Sequence, residues 1–324
     1  MILEVNDLCV DYVSPQGTAR AVDTVNFSLD AGEFLSIVGE SGCGKSTLLF
    51  SIAQLLSPPA ELVGGSVIFK GENLVTLDKN SLRAVRWRDL SVVMQSAMNA
   101  LNPVLTIRAQ FVDVMHAHGQ KDDEESDKRF AEVLRLVGID AVHLRSYAHQ
   151  LSGGMRQRVM IAMALLLSPD LIIMDEPTSA LDVVAQRSLM VQIKELQEKL
   201  GFAVIFVTHD ISLVSNFSDK LIVMYAGSVV EDGPTREIFE HPSHPYTQGL
   251  LSAFPSIRGP KVRLKGIPGS PPSLTQLPAG CPFHPRCAYA MESCSTVRPP
   301  VTPVGDVKVR CLLFENAEVH VGSD

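Results

Sequence analysis

A glycine-rich segment near the N-terminus has the composition and spacing of a phosphate-binding loop. Residues 39–46 read Gly-Glu-Ser-Gly-Cys-Gly-Lys-Ser and match the pattern G-x-x-x-x-G-K-[ST]. Glycines let backbone N–H groups turn inward around phosphates, and a helix that begins at the end of the loop adds partial positive charge. Lys45 can reach the β- and γ-phosphates of a nucleotide, and Ser46 can offer its hydroxyl to Mg²⁺. The residues that we predict to bind a nucleotide here are Gly39, Ser41, Gly42, Cys43, Gly44, Lys45, Ser46 and Thr47.

A pair of acidic residues follows an apolar run in the second half of the chain. Residues 171–174 read Leu-Ile-Ile-Met and predict a buried strand that delivers Asp175 to the carboxyl edge of a sheet. There Asp175 can hold Mg²⁺ through water, and Glu176 would polarise the attacking water as a general base. With a phosphate loop upstream, this pair indicates nucleotide hydrolysis.

A second glycine turn lies between the phosphate loop and the acidic pair. Residues 151–155 read Leu-Ser-Gly-Gly-Met, and a serine with two glycines before a helix is a candidate anion site. Ser152, Gly153 and Gly154 would form its phosphate cap. Since one chain can hardly fold both turns onto the same nucleotide, we expect a second copy or a relative of the chain to complete each site.

Four of the six cysteines lie close together near the C-terminus, in a tail (residues 255–324) that also carries 11 of the 20 prolines. In a reducing compartment such a cluster indicates metal or iron–sulfur ligation before disulfides. The spacing lacks the paired C-x-x-C knuckles usual in zinc ribbons, and four thiolates suit either zinc or an iron–sulfur cubane. The candidate ligands are Cys281, Cys287, Cys294 and Cys311.

The elements that must position these residues follow from apolar periodicity and turn residues. Strands are predicted over residues 2–10, 21–29, 34–38, 67–69, 91–94, 171–174 and 203–208, with a hairpin of 220–225 and 228–231 around Ala226 and Gly227. Helices are predicted over residues 47–56, 126–137, 156–167 and 183–200, the first ending before Pro58. Helix formers dominate from about 97 to 151, which indicates an inserted helical lobe. Continuous apolar strands between helices imply a parallel α/β sheet covered on both faces.

Composition excludes several classes of protein. The 324 residues are 46% apolar and 20% charged, which is ordinary for a soluble protein, and the net charge of −8 argues against a broad nucleic-acid surface. The longest strongly apolar run, residues 159–167, is too short for a membrane span, and the first residues lack the basic start and apolar stretch of a signal peptide. We therefore expect a cytoplasmic chain that reaches a membrane only through partners.

The motifs together resemble a known family. The phosphate loop, Leu-Ser-Gly-Gly, Asp-Glu-Pro-Thr-Ser-Ala-Leu-Asp at 175–182 and Thr-His-Asp at 208–210 occur in the order found in ABC-type ATPases, over residues 1–250. His-Pro-Ser-His-Pro-Tyr-Thr at 241–247, followed by the cysteines, is similar to the ATPase subunits of oligopeptide/dipeptide-type importers. Met155 replaces the commoner glutamine of the general pattern, but Leu-Ser-Gly-Gly-Met-Arg-Gln-Arg is similar to that subfamily.

The resemblance implies the fold and the domain organisation. It implies an α/β P-loop NTPase of the ABC type with an antiparallel β subdomain, an inserted helical subdomain and a cysteine- and proline-rich C-terminal tail. The ATPase domain would span residues 1–254, with the helical subdomain at about 97–157, and the tail would span 255–324.

The resemblance also implies roles for residues outside the phosphate loop. Tyr12 would stack on adenine, Gln95 would sense Mg²⁺ and the attacking water, and His209 would contact the γ-phosphate. Asp182 would communicate between two sites, and residues 152–154 would cap the γ-phosphate of ATP bound by a partner subunit.

For the four cysteines, the resemblance implies a [4Fe–4S] cluster, with zinc or no metal as alternatives. A structural staple is favoured over redox catalysis, because no flavin or electron-partner motif is visible in the sequence.

The implied assembly is a peripheral complex on the cytoplasmic face of the cell membrane. It would contain this ATPase, a second homologous but different ATPase subunit and two transmembrane permeases, and it would be served indirectly by an extracytoplasmic substrate-binding protein. ATP hydrolysis would power import of oligopeptides or dipeptides. Oligosaccharides remain an alternative cargo, because residues 95–103 depart from the Asp/Glu-Pro-Met that often follows the glutamine in peptide importers.

An alternative of a different class is a soluble ABC ATPase that acts on DNA or ribosomes. DNA-repair members need a long coiled-coil insertion and ribosome-acting members carry two cassettes; this sequence has neither. A metal-binding regulator with a vestigial ATPase conflicts with intact Lys45, Asp175 and Glu176.

Overall fold

The computed structural model describes residues 1–15, 17–95, 100–179, 181–253 and 266–315. The contacts divide the chain into two compact units: Met1–Ile2, Leu29–Phe34 and Asn73–Val207 form unit 1, and Leu3–Ser28, Leu35–Glu72 and Thr208–Asp324 form unit 2. The predicted start of the helical subdomain at residue 97 and the boundary at 254/255 fall outside the described residues, so both stay predictions. Among the described helices, none combines the length and apolarity required to cross a membrane.

Strands and helices are interspersed along the chain. The strands are β1 (Leu3–Ser14), β2 (Gly17–Leu29), β3 (Phe34–Val38), β4 (Ala60–Phe69), β5 (Glu72–Asn73), β6 (Leu90–Val93), β7 (Leu171–Asp175), β8 (Ala203–Val207), β9 (Lys220–Tyr225), β10 (Ser228–Pro234), β11 (Thr302–Val304) and β12 (Val307–Val309). The helices are α1 (Lys45–Ile52), α2 (Lys79–Val85), α3 (Ile107–Ala117), α4 (Glu124–Leu136), α5 (Gly153–Ala164), α6 (Val183–Leu200), α7 (Ile211–Phe217), α8 (Thr235–Glu240) and α9 (Pro245–Ser252).

Unit 2 contains two sheets. The first has the strand order β2-β1-β4-β5, and β1 pairs antiparallel with β4 from Leu3↔Phe69 to Tyr12↔Ala60. In the second, β3 and β9 are parallel, and β10, β12 and β11 continue from β9 as antiparallel neighbours. The predicted hairpin is confirmed: Ala226 and Gly227 have φ angles of 46° and 83°, as the tight turn between β9 and β10 requires.

The C-terminal tail shares the apolar core of unit 2. Tyr225 of β9, Tyr246 of α9 and Phe283 of the tail form a cluster whose ring centroids lie 4.7 to 5.4 Å apart. Val307 and Val309 of β12 are buried in the same core. The tail is therefore held by burial of apolar side chains and by strand pairing, independently of any metal bound by the cysteines.

Unit 1 contains a parallel sheet and a helical block. β7 pairs in parallel with β6 and with β8, and every residue of β7 and β8 is buried, as predicted from their continuous apolar sequence. The block around α3 and α4 is helical, as predicted, and Phe111 meets Phe130 edge-on with 5.5 Å between ring centroids. The acidic run at the start of α4 caps the helix: the Asp123 carboxylate accepts from the N–H groups of Glu125 and Ser126, 3.1 Å away in both cases.

Two predicted boundaries are wrong for physical reasons. Helix α1 ends at Ile52 rather than before Pro58, because Gln54 adopts a left-handed φ of 55° and the N–H of Leu55 bonds the carbonyl of Phe50, which closes the helix. The strand predicted at 67–69 is the end of a longer strand that begins at Ala60; its two glycines hid the strand periodicity from the sequence.

Candidate nucleotide-binding and hydrolysis site

The phosphate loop of unit 2 joins β3 to α1, the context that the motif requires. Gly44 has a φ of 104°, and a Cβ there would lie 2.0 Å from the carbonyl oxygen of Ala21. Gly42 has a φ of 78°, but a Cβ there would meet no atom of the described chain within 4 Å. The fold thus requires a glycine at 44 for packing, whereas the space over 42 is open for a ligand.

Lys45 and Cys43 are buried within the loop. The ammonium Nζ of Lys45 donates to the carbonyl oxygens of Gly39 at 2.8 Å and Glu40 at 3.0 Å, so the loop itself holds the cation. Burial raises the pKa of the Cys43 thiol above its usual value. The loop carbonyls therefore bind the Lys45 ammonium, and the Cys43 thiol is buried beside it.

Tyr12 lies at the end of β1, and its hydroxyl is 3.2 Å from the hydroxyl of Thr47 in α1. The tyrosine is half-buried, so part of its ring remains accessible. The structure thus brings the predicted adenine-stacking residue next to the helix that follows the phosphate loop.

The acidic pair and the glutamine meet in unit 1. Asp175 is the buried last residue of β7, and Glu176 follows it with a left-handed φ of 44°. The amide Nε2 of Gln95 donates to Glu176 Oε2 at 2.7 Å, and the backbone N–H of Glu176 donates to the carbonyl of Val207 at 2.9 Å. A strained backbone held by two hydrogen bonds is typical of a functional position.

His209 is exposed in the connection between β8 and α7. Its neighbours are fixed: Thr208 is buried, and Asp210 caps α7 by accepting from the N–H of Ser212 at 2.9 Å. The exposed histidine therefore lies between a buried threonine and the cap of α7.

The second glycine turn begins α5. Ser152 is exposed and caps the helix, its hydroxyl accepting from the N–H of Met155 at 3.3 Å. A Cβ on Gly154 would have its nearest contact, Leu181 Cδ2, at 3.9 Å, so this chain's own packing does not require glycine there. Asp182 caps α6 by accepting from the N–H groups of Val184 and Ala185. Sequence reasoning did not find this structural role for Asp182.

The four tail cysteines lie near one another as free thiols. The N–H of Cys281 donates to the carbonyl of Cys294 at 2.9 Å, and the sulfur of Cys287 accepts from the N–H of Tyr289 at 3.4 Å. Burial, followed by the charges of the other three thiols, raises the pKa of Cys311 to about 11. Within the described residues, no group of three or more His, Cys, Asp or Glu side chains has a metal-holding arrangement. The structure thus gives no support to the predicted iron–sulfur or zinc ligation.

Sequence reasoning missed three residues at the phosphate loop. The hydroxyl of Tyr246 accepts from the backbone N–H of Glu40 at 2.9 Å, and the guanidinium of Arg286 forms an ion pair with the Glu40 carboxylate. Glu40 occupies a variable position of the loop pattern, and residues 241–247 counted only as a family marker. A buried Tyr or Arg far along the chain gives no local signal of contact with such a loop.

Comparison with known families gives two matches. Residues 22–179 match the family described as "ABC transporter", and residues 230–294 match "Oligopeptide/dipeptide transporter, C-terminal region". The second match covers the His-Pro-Tyr segment and three of the four tail cysteines.

Individual relatives align over nearly the whole chain. The dipeptide transport ATP-binding protein DppD of Caldanaerobacter subterraneus is 42% identical over 97% of this chain and 98% of its own length. The oligopeptide transport ATP-binding protein OppD of Salmonella typhimurium is 43% identical over 92% of this chain and 90% of its own. A solved dimer of the ATP-binding cassette MJ0796 bound to ADP and Pi superposes with a TM-score of 0.65 at 32% identity, covering 72% of this chain and 99% of that one.

Proposed function

Because the chain belongs to the ABC transporter ATP-binding subunits, in their oligopeptide/dipeptide branch, we propose that it hydrolyses ATP to power the import of peptides across the cytoplasmic membrane. The relatives named above transport dipeptides or oligopeptides, and they give no support to the oligosaccharide alternative. Neither family match favours action on DNA or ribosomes.

The observation that carries hydrolysis, beyond binding, is the contact between Gln95 and Glu176. A module that only binds nucleotide has no need of a carboxylate held by an amide at 2.7 Å on a strained backbone. A side chain positioned in this way is what a general base for water requires.

The nucleotide would bind to the phosphate loop through backbone N–H groups and Lys45. On binding, the Lys45 ammonium would exchange its contacts with the carbonyls of Gly39 and Glu40 for phosphate oxygens. The accessible part of the Tyr12 ring would stack on adenine, with its hydroxyl kept on Thr47.

Mg²⁺ fits the donor set that this chain offers. The hydroxyl of Ser46, the carboxylate of Asp175 and the amide oxygen of Gln95 are all oxygen ligands, which suit a hard cation that keeps several waters. When bound, the ion neutralises charge on the phosphates. Asp175 is supplied by a fully buried strand, so its position would not depend on the nucleotide.

Glu176 would accept the proton of the attacking water, and Gln95 would keep its carboxylate in place through the amide hydrogen bond. The side chain of His209 would contact the γ-phosphate. These roles require only the groups described above and no covalent intermediate.

A second ATPase subunit would complete each site. Ser152, Gly153 and Gly154 would cap the γ-phosphate of ATP held by that partner. Among the described residues, the atom nearest to a Cβ placed on Gly154 is Leu181 Cδ2 at 3.9 Å, and this loose packing supports the role. The solved dimer of the related cassette supports a two-subunit assembly. We propose a homologous but different chain as the partner, with Asp182 communicating between the two sites.

Two transmembrane permeases would receive the motion of this pair, and a substrate-binding protein outside the cell would deliver the peptide. The ATPase would therefore work as a peripheral subunit on the cytoplasmic face of the membrane.

The cysteine tail would hold a [4Fe–4S] cluster, or zinc as the alternative. The proposal rests on the resemblance of the segment with Cys281, Cys287, Cys294 and Cys311 to the tail of importer ATPase subunits. Ligation would require the side chains to leave their present arrangement, since that arrangement does not form a metal site. We assign such a cluster no step in ATP hydrolysis.

The test of the proposed function is the Glu176→Gln variant in the complex with the permeases and partner ATPase, reconstituted in vesicles. The glutamine keeps the shape and can still accept from Gln95 through its carbonyl oxygen, but it lacks a base. We expect ATP binding to persist, and ATP hydrolysis with uptake of a labelled peptide to fall by about 10²- to 10⁴-fold.

Glu195→Gln provides the matched control, because Glu195 is an exposed acid on α6 of the same unit. It should leave hydrolysis and uptake unchanged. Near-normal turnover in the Glu176→Gln complex would refute Glu176 as the base, and absence of peptide-stimulated hydrolysis in the wild-type complex would refute peptide import.

A further inference from the structure

The second residue of the phosphate loop is bound by the C-terminal tail. The guanidinium of Arg286 donates to both carboxylate oxygens of Glu40, from Nη1 at 2.6 Å and from Nη2 at 2.9 Å. Two parallel hydrogen bonds between an arginine and a carboxylate fix orientation as well as distance. The tail therefore determines where the Glu40 side chain lies.

Arg286 is itself held rigidly. Its side chain is 6% exposed, its Nε donates to the carbonyl of Pro268 at 2.8 Å, and its guanidinium carbon lies 5.8 Å and 6.0 Å from the ring centroids of Tyr225 and Phe283. Stacking on two rings is a contact that a lysine would not reproduce. The hydrogen bonds to Glu40 and to the Tyr225 hydroxyl raise the pKa of Arg286 further, so it is always charged.

A second tie holds the backbone of the same loop residue. The hydroxyl of Tyr246, a fully buried side chain, accepts from the N–H of Glu40 at 2.9 Å. Both the backbone and the side chain of Glu40 are thus bound by residues that follow β10 in the chain.

One side of the phosphate loop faces open space. A cavity of about 300 Å³ borders residues 40–43 on one side and residues 271–274 of the tail on the other. Open space supplies no packing contacts, so on this side the loop depends on hydrogen bonds. The contacts of Glu40 with Arg286 and Tyr246 add to the one that the Glu40 carbonyl accepts from Lys45.

The position of Arg286 depends on the cysteine segment. It ends the short turn His284–Arg286 and directly precedes Cys287. The carbonyl of Cys281 accepts from the N–H of His284 at 3.1 Å, and the carbonyl of His284 accepts from the N–H of Cys287 at 3.3 Å. The guanidinium is therefore carried by the backbone between the first two cysteines of the cluster.

We propose that Arg286 is a positioning residue for the phosphate loop, through which the cysteine-containing tail sets the affinity of this chain for ATP. The proposal rests on the proposed binding of ATP at the loop. Loss of the Arg286–Glu40 pair would release the Glu40 side chain and leave this turn of the loop held only through its backbone, and nucleotide binding would then have to order the side chain.

The test measures binding of a non-hydrolysable ATP analogue with Mg²⁺ to the full chain by titration calorimetry, together with KM and kcat of the assembled complex. We expect Arg286→Ala to weaken binding and raise KM for ATP about tenfold, while kcat at saturating ATP stays within about twofold. Glu40→Gln should act in the same direction, Arg286→Lys should be intermediate, and the double variant should be no worse than Arg286→Ala alone.

Arg236→Ala is the matched control. Arg236 forms an exposed ion pair with Glu240 on α8 of the same unit, so its loss should leave ATP affinity unchanged. If Arg286→Ala does not fold, Glu40→Gln and Arg286→Lys carry the test.

The proposal would be overturned if Glu40→Gln and either Arg286→Ala or Arg286→Lys bound the ATP analogue with wild-type affinity. This holds even if the melting temperature of the variants falls, because the ion pair would then have a structural role only. Absence of analogue binding by the wild-type chain would instead overturn the proposed function.

Discussion

Substitution of His244 tests whether a buried neutral histidine makes the stability of unit 2 depend on pH. His244 is 1% exposed, precedes α9, and its Nδ1 accepts from the N–H of Tyr246 at 3.0 Å. Burial lowers the pKa of His244 from 6.5 to about 3, against a smaller opposing contribution from the backbone of Arg310. In the folded protein the ring is therefore neutral throughout the usual working range of pH.

Proton linkage gives the direction and the size of the pH effect on the stability of the folded protein. Below pH 6.5 the unfolded chain binds a proton at His244 that the folded chain does not bind until about pH 3, so stability falls as pH falls through this interval. Each pH unit within it lowers the free energy of unfolding by about 1.4 kcal/mol. Between about pH 7.5 and about pH 5.5 the wild type should therefore lose about 1.4 kcal/mol through this residue alone.

The assay compares the wild type with His244→Asn by urea denaturation at several pH values, with hydrogen exchange of α9 as a local probe. Asparagine can still accept the N–H of Tyr246 as a helix cap but does not titrate. The smaller side chain leaves a void whose cost does not depend on pH, so the difference in slope is the informative quantity. Glu231, whose pKa is raised by burial, is present in both proteins and cancels in the comparison.

His241→Asn serves as the control, because His241 is exposed and should leave the pH dependence as in the wild type. Equal pH dependence in the wild type and His244→Asn would refute the reasoning. Such a result would mean that the ring is protonated or solvated in the folded protein.

Two further predictions concern the partner-facing turn and the tail. Ser152→Ala removes the cap of α5 at a cost of about 1 kcal/mol, and the control Thr106→Ala removes the matching cap of α3 at a similar cost. Both variants should retain ATP binding, but only Ser152→Ala should lower ATP turnover of the assembled complex. Equal turnover in the two variants would contradict the role of the Ser152 turn. Anaerobically purified protein should be brown with broad visible absorption and should bleach when the four cysteines are replaced by serine, whereas a colourless, zinc-loaded protein would overturn the iron–sulfur assignment.

The sequence predicted the parts of the site that depend on local spacing. The phosphate loop, β7 with its acidic end and the helix after Ser152 are each encoded by contiguous residues, and all of them lie in the predicted kinds of element. The contact of Gln95 with Glu176 joins residues far apart in the chain, and only the family resemblance gave a reason to name Gln95.

The contacts of the tail could not be predicted in the same way. Phe283 packs against Tyr225 and Tyr246, which are distant from it in the sequence. The proline-rich tail has no apolar periodicity from which this long-range contact could be predicted. The tail was therefore interpreted mainly from its cysteines, although its aromatic and β-branched residues also build the core.

The hairpin of β11 and β12 has a consequence for shortening the protein. β12 covers the side of β10 that β9 does not, through the pairs Glu231↔Val309 and Asp232↔Lys308. A chain cut after residue 253 would leave β10 as an uncovered edge strand and would expose the apolar surface beneath Phe283. Unpaired edges of this kind template intermolecular strand addition, so the shortened protein should aggregate even though it would retain every ATPase motif.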